Sequence, residues 1–303
     1  MDYEPYKGLI SLQNKPPIVD MGFNWRGYAQ FMEDKFTIID KHKQEVAFKQ
    51  QPAQLDFLYH MSLYEMLLVL KARKMGFSST ALGVGTTKFI NGKNEKCVSM
   101  SFDTSASQKQ LLRVKHYIKS YEAVKSRQLG REFKIPFKYN SKNELVWEGK
   151  ELNIHGAYDH FQNALRVGTA SVDSFGRGDD VSFLHLTEVS LAKDIDVLMA
   201  GIGEACLPLA PKILETTANG FNSYKNTWDK SVLGEYDYAA LFYSPYWEYS
   251  EEYVQKKYRD LGRLGTQEYP LTPEEAFLTS GELYFDQLSL RDLLKLTREP
   301  VQI

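Results

Sequence analysis

The stretch that decides the fold class reads Leu67-Leu68-Val69-Leu70-Lys71-Ala72-Arg73-Lys74-Met75-Gly76-Phe77-Ser78. Its first four residues form a short apolar run, which predicts a buried strand. Ser78–Ile90 reads as a helix, with serines that could cap its first turn. The loop between them contains backbone N–H groups and cations that could bind a phosphate, and a hydroxyl that could bind its magnesium ion.

This loop departs from the standard phosphate-binding pattern G-x-x-x-x-G-K-[ST]. Gly76 and Ser78 fit the pattern, but Phe77 occupies the lysine position and Lys71 occupies the first glycine position. A cation at the start of the loop could still reach the phosphates, because the loop wraps around them. On these residues alone, an ordinary strand-to-helix turn is an equal alternative.

A second candidate feature is an apolar strand, Phe183–Leu186, that ends in Thr187-Glu188. In nucleoside triphosphatases of this layout, a carboxylate at such a strand end polarises the attacking water. An aspartate usually precedes that glutamate and helps to hold magnesium. Thr187 stands there instead, and its hydroxyl could bind the ion through a water. The alternative is that Glu188 only begins the next helix, where it favours the helix dipole.

Apolar runs and helical patterns alternate along the rest of the chain. The further predicted elements are strands at Cys97–Phe102, Ala164–Thr169, Ile213–Thr216 and Ala239–Tyr243, and helices at Ser105–Val124, about Leu191–Ala205 and Leu288–Thr297. A hairpin is predicted around Glu148-Gly149-Lys150. This alternation predicts an α/β fold with a mainly parallel sheet and helices on both faces. We expect a lead-in over residues 1–45, one domain over 46–285, and a C-terminal helix or linker start over 286–303.

Composition narrows the function classes. The 37 basic and 39 acidic residues give a formal net charge of −2, which argues against coating nucleic acid by bulk electrostatics but allows a local basic patch. Cys97 and Cys206 are the only cysteines, too few for a disulfide framework or a zinc site, so a reducing compartment is expected. No stretch approaches 18 consecutive apolar residues, so we expect no membrane span.

Several longer segments, taken in order and spacing, resemble the large terminases of tailed bacteriophages over roughly residues 45–285. The segments that carry the resemblance are Phe48–Gln54, Lys71–Ser78, Arg166–Ala170, Gly176–Gly178, His185–Val189, Glu215–Gly220, Glu268–Phe277 and Ser280-Gly281. The resemblance implies a RecA-like P-loop ATPase domain of the ASCE type. It also implies ATP as substrate, Mg²⁺ as cofactor, and hydrolysis that drives double-stranded viral DNA into a procapsid.

The same resemblance assigns roles to individual residues. Gln54 would read adenine, and Lys71 or Arg73 would hold the phosphates. Ser78, Thr187 through a water, and Glu188 would bind magnesium, and Glu188 would also activate the attacking water. The implied ATP-binding set is Gln54, Lys71, Arg73, Lys74, Met75, Gly76, Phe77, Ser78 and Ser79. Thr216, Thr217 and Asn219 would sense the γ-phosphate and couple its loss to movement.

Motors of this kind complete the site with an arginine from a neighbouring subunit. Arg177 is the first candidate, and Arg113 and Arg127 are the alternatives. The implied partners are duplex DNA, the portal of a procapsid, a small terminase subunit and further copies of the chain in a pentameric ring. The implied location is the host cytoplasm, away from membranes and outside the finished virion.

Two departures qualify the resemblance. Thr187 replaces the expected aspartate, and no cluster of aspartates follows Phe285, so we expect no nuclease activity from this chain. Two alternatives stay open. One is a nucleotide-binding structural subunit with little hydrolysis, which Thr187 favours. The other is a different P-loop translocase or helicase, although no helicase motifs are found.

Overall fold

An eight-stranded sheet organises the computed structural model, which describes residues 22–170 and 180–278. Two short strands, β1 (Thr37–Ile39) and β2 (Glu45–Ala47), pair with each other outside that sheet. The strands of the main sheet are β3 (Met66–Lys71), β4 (Lys96–Ser101), β5 (Phe137–Asn140), β6 (Glu144–Leu152), β7 (Tyr158–Thr169), β8 (Phe183–Thr187), β9 (Lys212–Thr216) and β10 (Ala239–Tyr243).

The strand order across the sheet is β10-β3-β9-β8-β4-β7-β6-β5. The strands from β10 to β7 run parallel, and β6 and β5 add an antiparallel extension at one edge. The carboxyl ends of β3, β9 and β8 therefore lie side by side at one edge, where α/β proteins commonly place their ligands.

Helices cover both faces of the sheet, as predicted. They are α1 (Trp25–Lys35), α2 (Pro52–Met61), α3 (Phe77–Asn91), α4 (Thr104–Leu129), α5 (Ile195–Ile202), α6 (Ser223–Val232), α7 (Glu251–Leu261), α8 (Leu264–Glu268) and α9 (Pro273–Leu278). Buried residues of α1–α4 share one hydrophobic core, and those of α5, α6 and α9 share a second core on the opposite face. Among the described residues, no helix is both long and apolar enough to span a membrane.

Strand β3 shows how alternation assigns side chains to the two faces. Leu67 and Val69 belong to the core beneath α3, whereas Leu68 and Leu70 belong to the opposite core. Because side chains alternate along a strand, Lys71 belongs to the α3 face at the carboxyl end. The buried apolar strand β3 thus ends in a cation, Lys71, on the side of the sheet that α3 covers.

The predicted hairpin at Glu148-Gly149-Lys150 is wrong. Gly149 lies inside the continuous strand β6, and the turn falls at residues 153–157, where Gly156 has φ 78°. Gly149 marks a close approach to the neighbouring strand: a Cβ there would lie 2.3 Å from Cζ of Phe161. A glycine in a strand can serve such an approach as well as a turn.

Two helix predictions also need correction. The single helix predicted over Leu191–Ala205 is divided into a 3₁₀ helix at Val189–Leu191, α5, and a second 3₁₀ helix at Gly203–Ala205. Asp194 caps α5 anew by accepting a hydrogen bond from the Val197 N–H. At the start of α3 the cap is Gly76 and not a serine. The helix predicted at Leu288–Thr297 lies outside the described residues.

Helix α1 packs into the same core as the helices of the sheet. Met32 of α1 is completely buried. It packs closely on Gly83 of α3, because a Cβ added at Gly83 would lie only 2.4 Å from the Met32 sulfur. Phe36, which follows α1, stacks on Tyr117 of α4 with ring centroids 5.1 Å apart. Residues 23–36 therefore contribute directly to the packing behind the phosphate loop.

Candidate active site

The predicted phosphate loop, Lys71–Ser78, turns sharply between β3 and α3. Lys74 and Gly76 both adopt left-handed backbone conformations, with φ values of 62° and 76°. Such a conformation is uncommon for a residue other than glycine and often marks a functional loop. Position 76 needs a glycine for a second reason, because a Cβ there would lie 2.2 Å from Nε2 of Gln54. The loop is therefore held closely against α2.

Four side chains meet at the carboxyl edge beneath this loop. Lys71 Nζ lies 3.3 Å from Oε2 of Glu215, a residue that is fully buried. Ser78 donates a hydrogen bond to Oε1 of the same carboxylate, and Thr187 Oγ1 donates another over 2.7 Å. The Ser78 and Thr187 hydroxyl oxygens are 3.4 Å apart. A cation, a carboxylate and two hydroxyls thus share one small volume.

Strand register produces this cluster. Thr187 of β8 and Glu215 of β9 are direct partners across the parallel pair. Phe183 and Ile213 lie on the α3 face of their strands, and a period of two places Thr187 and Glu215 on that same face. Ser78, in the first turn of α3, approaches both from above.

A buried hydrogen-bonded chain supports the carboxylate from behind. His185 Nε2 lies 3.3 Å from Glu215 Oε1, and His185 Nδ1 lies 2.8 Å from Ser99 Oγ, which in turn donates to Gln110 over 3.0 Å. Burial by itself raises the pKa of Glu215, but the charge of Lys71 and the hydrogen bonds from His185 and Ser78 outweigh that effect. The pKa of Glu215 is held below its ordinary value, so the carboxylate is charged.

Glu188 follows β8 directly and has an exposed side chain. Its φ is 59°, a strained conformation for a glutamate that ends the strand abruptly before the 3₁₀ helix. The charge of Glu188 is among the smaller causes that raise the pKa of Arg73, so the two charges lie near enough to interact. The exposure of Glu188 leaves its carboxylate accessible to water.

The two loop cations occupy different surroundings. Lys71 is 12% exposed and belongs to the buried cluster, whereas Arg73 is 57% exposed and pairs with Glu268 at 2.8 Å. The hydrogen bond and charge of Glu268 are the main causes that raise the pKa of Arg73. The structure therefore brings Lys71, and not Arg73, together with Ser78 and Thr187.

The other predicted ATP-contacting residues are placed as follows. Gln54 is buried against the loop, where its amide donates to the Met75 carbonyl over 3.0 Å and accepts from the Gln51 N–H over 2.9 Å. The oxygen and the nitrogen of the Gln54 amide both form hydrogen bonds with backbone groups. Recognition of adenine by Gln54 therefore stays a prediction, and it requires Gln54 to replace these backbone bonds with bonds to the base. Phe77 is core, packed 4.6 Å from the Tyr243 ring.

The remaining loop side chains divide between solvent and core. Met75 is buried and Lys74 is exposed. The carbonyl of Ser79 accepts a hydrogen bond from the hydroxyl of Tyr117 over 3.3 Å. Contacts from these positions to a nucleotide would therefore come mainly from their backbone groups.

The predicted coupling residues begin one step beyond Glu215. Thr216 is buried and donates to the Ser190 hydroxyl over 2.8 Å, which ties the end of β9 to the turn after Glu188. Asn219 is exposed, and its carbonyl accepts from the Asn222 amide over 3.0 Å. Thr217, between them, is half-buried.

Of the three arginine candidates, Arg127 lies far from this cluster. Arg113 and Arg127 are both exposed on α4. Helix α4 begins at the carboxyl end of β4, and at about 1.5 Å per residue Arg127 lies on the order of 35 Å further along its axis. The structure therefore separates Arg127 from the site of its own chain. Arg177 lies outside the described residues.

The donor groups fit a magnesium ion bound with a nucleotide. Within the described part of the chain, no three His, Cys, Asp or Glu side chains are grouped to hold a metal by themselves. Magnesium does not need such a group, because it keeps several waters and takes one or two protein oxygens together with substrate phosphates. The oxygens of Ser78 and Thr187 lie at this edge of the sheet beside a buried negative charge.

Glu215 is the residue that sequence reasoning missed. The family resemblance assigns roles to the threonines that follow it and no role to the carboxylate itself. One signal was present: in Ile213–Glu215 an acidic residue stands at an inward-facing position of an apolar strand, where an unpaired charge is costly. A buried carboxylate of this kind requires partners, and Lys71, Ser78 and Thr187 provide them.

Comparison with known proteins identifies the architecture. The sequence matches no family model and no curated protein. The structure is similar to the large-terminase ATPase domain of Thermus phage P74-26, with a TM-score of 0.52 and 13% sequence identity over 68% of this chain and 87% of that domain. A mutant of the same domain gives a TM-score of 0.54 at 13% identity, over 70% and 90% of the two chains.

The HK97 bacteriophage large terminase is similar over 84% of this chain, with a TM-score of 0.55 and 13% identity. The match covers 50% of that protein, so this chain corresponds to about half of its length. The class defined by the sheet and its helices is the RecA-like α/β fold. Within that class, the chain has the fold of phage large-terminase ATPase domains, as the sequence resemblance predicted.

Proposed function

We propose that this chain is the ATP-hydrolysing motor domain of a phage large terminase, which drives duplex DNA into a procapsid. One observation carries the proposal: Lys71 and Ser78 of the phosphate loop meet Thr187, the residue before Glu188, at the carboxyl edge of a sheet with the large-terminase ATPase fold. A cation for phosphate, hydroxyls for metal and an exposed carboxylate for water are the parts that phosphoryl transfer needs.

In this mechanism the chain mainly positions groups. Lys71 and the N–H groups of the loop would hold the phosphates, while Ser78 and, through a water, Thr187 would hold magnesium. The metal would supply positive charge against the negative charge of the phosphates. Glu188 orients the attacking water and accepts its proton. Thr216, through Ser190, transmits the loss of the γ-phosphate to the segment after β8.

The proposed partners follow from the same assignment. They are duplex DNA, the portal of a procapsid, a small terminase subunit and further copies of this chain in a ring in the host cytoplasm. One arginine, Arg177 or Arg113 or Arg127, would enter the site of the next subunit and stabilise charge on the transferred phosphoryl group.

Phosphate release by the purified chain, measured with and without duplex DNA, tests the proposal. We expect magnesium-dependent ATP hydrolysis that duplex DNA stimulates. Nucleotide binding without hydrolysis under any of these conditions would favour the structural-subunit alternative, which Thr187 makes the main competitor. Stimulation confined to single-stranded DNA, with strand separation, would favour a helicase.

A further inference from the structure

The end of β8 lacks the acidic residue that would normally stand before Glu188, but the next strand supplies one. Glu215 is the register partner of Thr187, and its Oε1 accepts hydrogen bonds from Thr187 and Ser78. Its other oxygen, Oε2, accepts no hydrogen bond from the described residues and faces Lys71 Nζ at 3.3 Å. The carboxylate therefore touches three of the side chains proposed to contact the phosphates or the metal: Lys71, Ser78 and Thr187.

We propose that Glu215 supplies the magnesium-binding carboxylate of this site from β9, in place of an acidic residue on β8, and that it exchanges Lys71 for the metal when nucleotide binds. This inference rests on the proposed function, because it concerns how the same site holds magnesium with its nucleotide. Ser78 and Thr187 then present hydroxyls to a metal whose negative protein ligand comes from the neighbouring strand.

The exchange keeps every buried charge paired. Without ligand, Lys71 and Glu215 neutralise each other in a place where an isolated charge would be costly. A magnesium nucleotide brings an anion for Lys71 and a cation for Glu215, so both side chains can change partners without leaving either charge uncompensated. The ion pair thus holds the two groups in place until the ligand replaces each partner.

The surroundings of Glu215 resemble the outer support of a metal ligand. His185 contacts the carboxylate, and Ser99 with Gln110 fixes the imidazole from behind. Partners of this kind orient metal ligands. The arrangement is more elaborate than an isolated ion pair, and a buried ion pair alone contributes little to stability.

The test measures how ADP binding depends on magnesium. We expect Glu215→Gln to raise the magnesium concentration at half-maximal binding about tenfold or more, while ADP binding in EDTA changes little. Lys71→Ala should instead weaken binding both with magnesium and in EDTA. Bound Mn²⁺, counted by electron paramagnetic resonance in the presence of ADP, should fall in Glu215→Gln in parallel.

A second pair of variants moves the carboxylate between strands. Thr187→Asp/Glu215→Gln places the charge on β8 and should recover most of the magnesium response. Thr187→Asn/Glu215→Gln has the same shape without the charge and should not recover it. Thermal unfolding without ligand verifies that each variant is folded. If Glu215→Gln alone does not fold, the difference between these two double variants decides the question.

Two results would overturn the inference: a magnesium midpoint in Glu215→Gln equal to that of the wild type, or no difference between the Asp and Asn double variants. Failure of the proposed function looks different. A wild-type chain that binds no magnesium nucleotide contradicts the ATPase assignment itself. A wild-type chain that hydrolyses ATP while Glu215→Gln keeps the wild-type magnesium midpoint contradicts only the role of Glu215.

Discussion

Lys71 and Arg73 are both cations of the phosphate loop, but the fold gives them different partners. Lys71 faces the buried carboxylate of Glu215, and Arg73 faces Glu268 near the surface. The sequence could not choose between them because Lys71 ends β3 and Arg73 comes only two residues later. The choice depends on which strand lies beside β3, and that is a long-range pairing.

Lys71→Ala and Arg73→Ala should therefore differ in nucleotide binding. We expect Lys71→Ala to weaken ATP binding or hydrolysis severely, because it removes the buried cation proposed to hold the phosphates and leaves the Glu215 carboxylate without its lysine partner. Arg73→Ala should have the milder effect, since its exposed pair with Glu268 is worth at most about 1 kcal/mol. Fluorescent-nucleotide titration and phosphate release on the two variants check this. Equal, wild-type behaviour of both would remove the loop from phosphate binding.

Glu248 provides a pH-dependent test of the packing beside the loop. Burial raises the pKa of Glu248 from 4.5 to about 7, and its Oε1 has no hydrogen-bond partner among the described residues. A folded-state pKa above the unfolded value means that the native state loses stability as pH rises from 4.5 through 7. The adjacent Tyr249 donates to the Lys74 carbonyl over 3.0 Å, so this segment borders the phosphate loop.

Glu248→Gln should remove that loss of stability. Relative to the wild type, the variant should gain free energy of unfolding steadily between pH 4.5 and 7, and then hold the gain at higher pH. Urea unfolding over this pH range measures the difference. Glu251→Gln, an exposed change in the first turn of α7, is the matched control. Parallel pH profiles for Glu248→Gln and the wild type would show that Glu248 ionises normally.

At the scale of elements, the sequence predicts most of the parallel strands better than it predicts the antiparallel strands β5 and β6. Strand β10 has the predicted bounds, and β3, β4, β8 and β9 agree within a residue or two, because each is a short, mostly buried stretch that contains several apolar residues. The error at Gly149 arose because a strand glycine and a turn glycine look alike in sequence. Only the ring of Phe161 on the next strand explains that glycine.

The same limit explains the missed carboxylate. Alternation along Ile213–Glu215 predicts which face Glu215 occupies. It does not predict that β9 enters the sheet between β3 and β8, which brings Glu215 to Lys71 and Thr187. Local patterns thus give the candidate residues, and non-local strand pairing brings them together.

Helix α1 offers a test of how far the folded unit extends toward the N-terminus. Met32→Ala should lower the free energy of unfolding by about 2–5 kcal/mol, because the side chain is completely buried against α3. Gln30→Ala, on the exposed face of α1, should change it by less than about 0.5 kcal/mol. Urea denaturation measures both. An unchanged midpoint in Met32→Ala would show that α1 does not pack on the core.

At the scale of the whole molecule, the proposed site lies at one edge of the sheet, and Glu188, the carboxylate proposed to activate water, is exposed. The formal net charge of −2 gives little general attraction to DNA, so the motor assignment depends on local contacts and on assembly. An arginine supplied by a neighbour is typically worth about 10³ to 10⁵ in rate. Turnover per subunit should therefore rise steeply with protein concentration as copies associate.

The most direct measurement is phosphate release by the wild type and by Glu188→Gln over a concentration series with duplex DNA, with ATP binding measured in the same samples. The wild type should hydrolyse ATP with a turnover that rises with concentration. Glu188→Gln should bind ATP equally well and turn it over about 10² to 10⁴ times more slowly, the usual worth of a general base. Equal turnover by the two proteins would contradict the assignment of this edge of the sheet as the site of ATP hydrolysis.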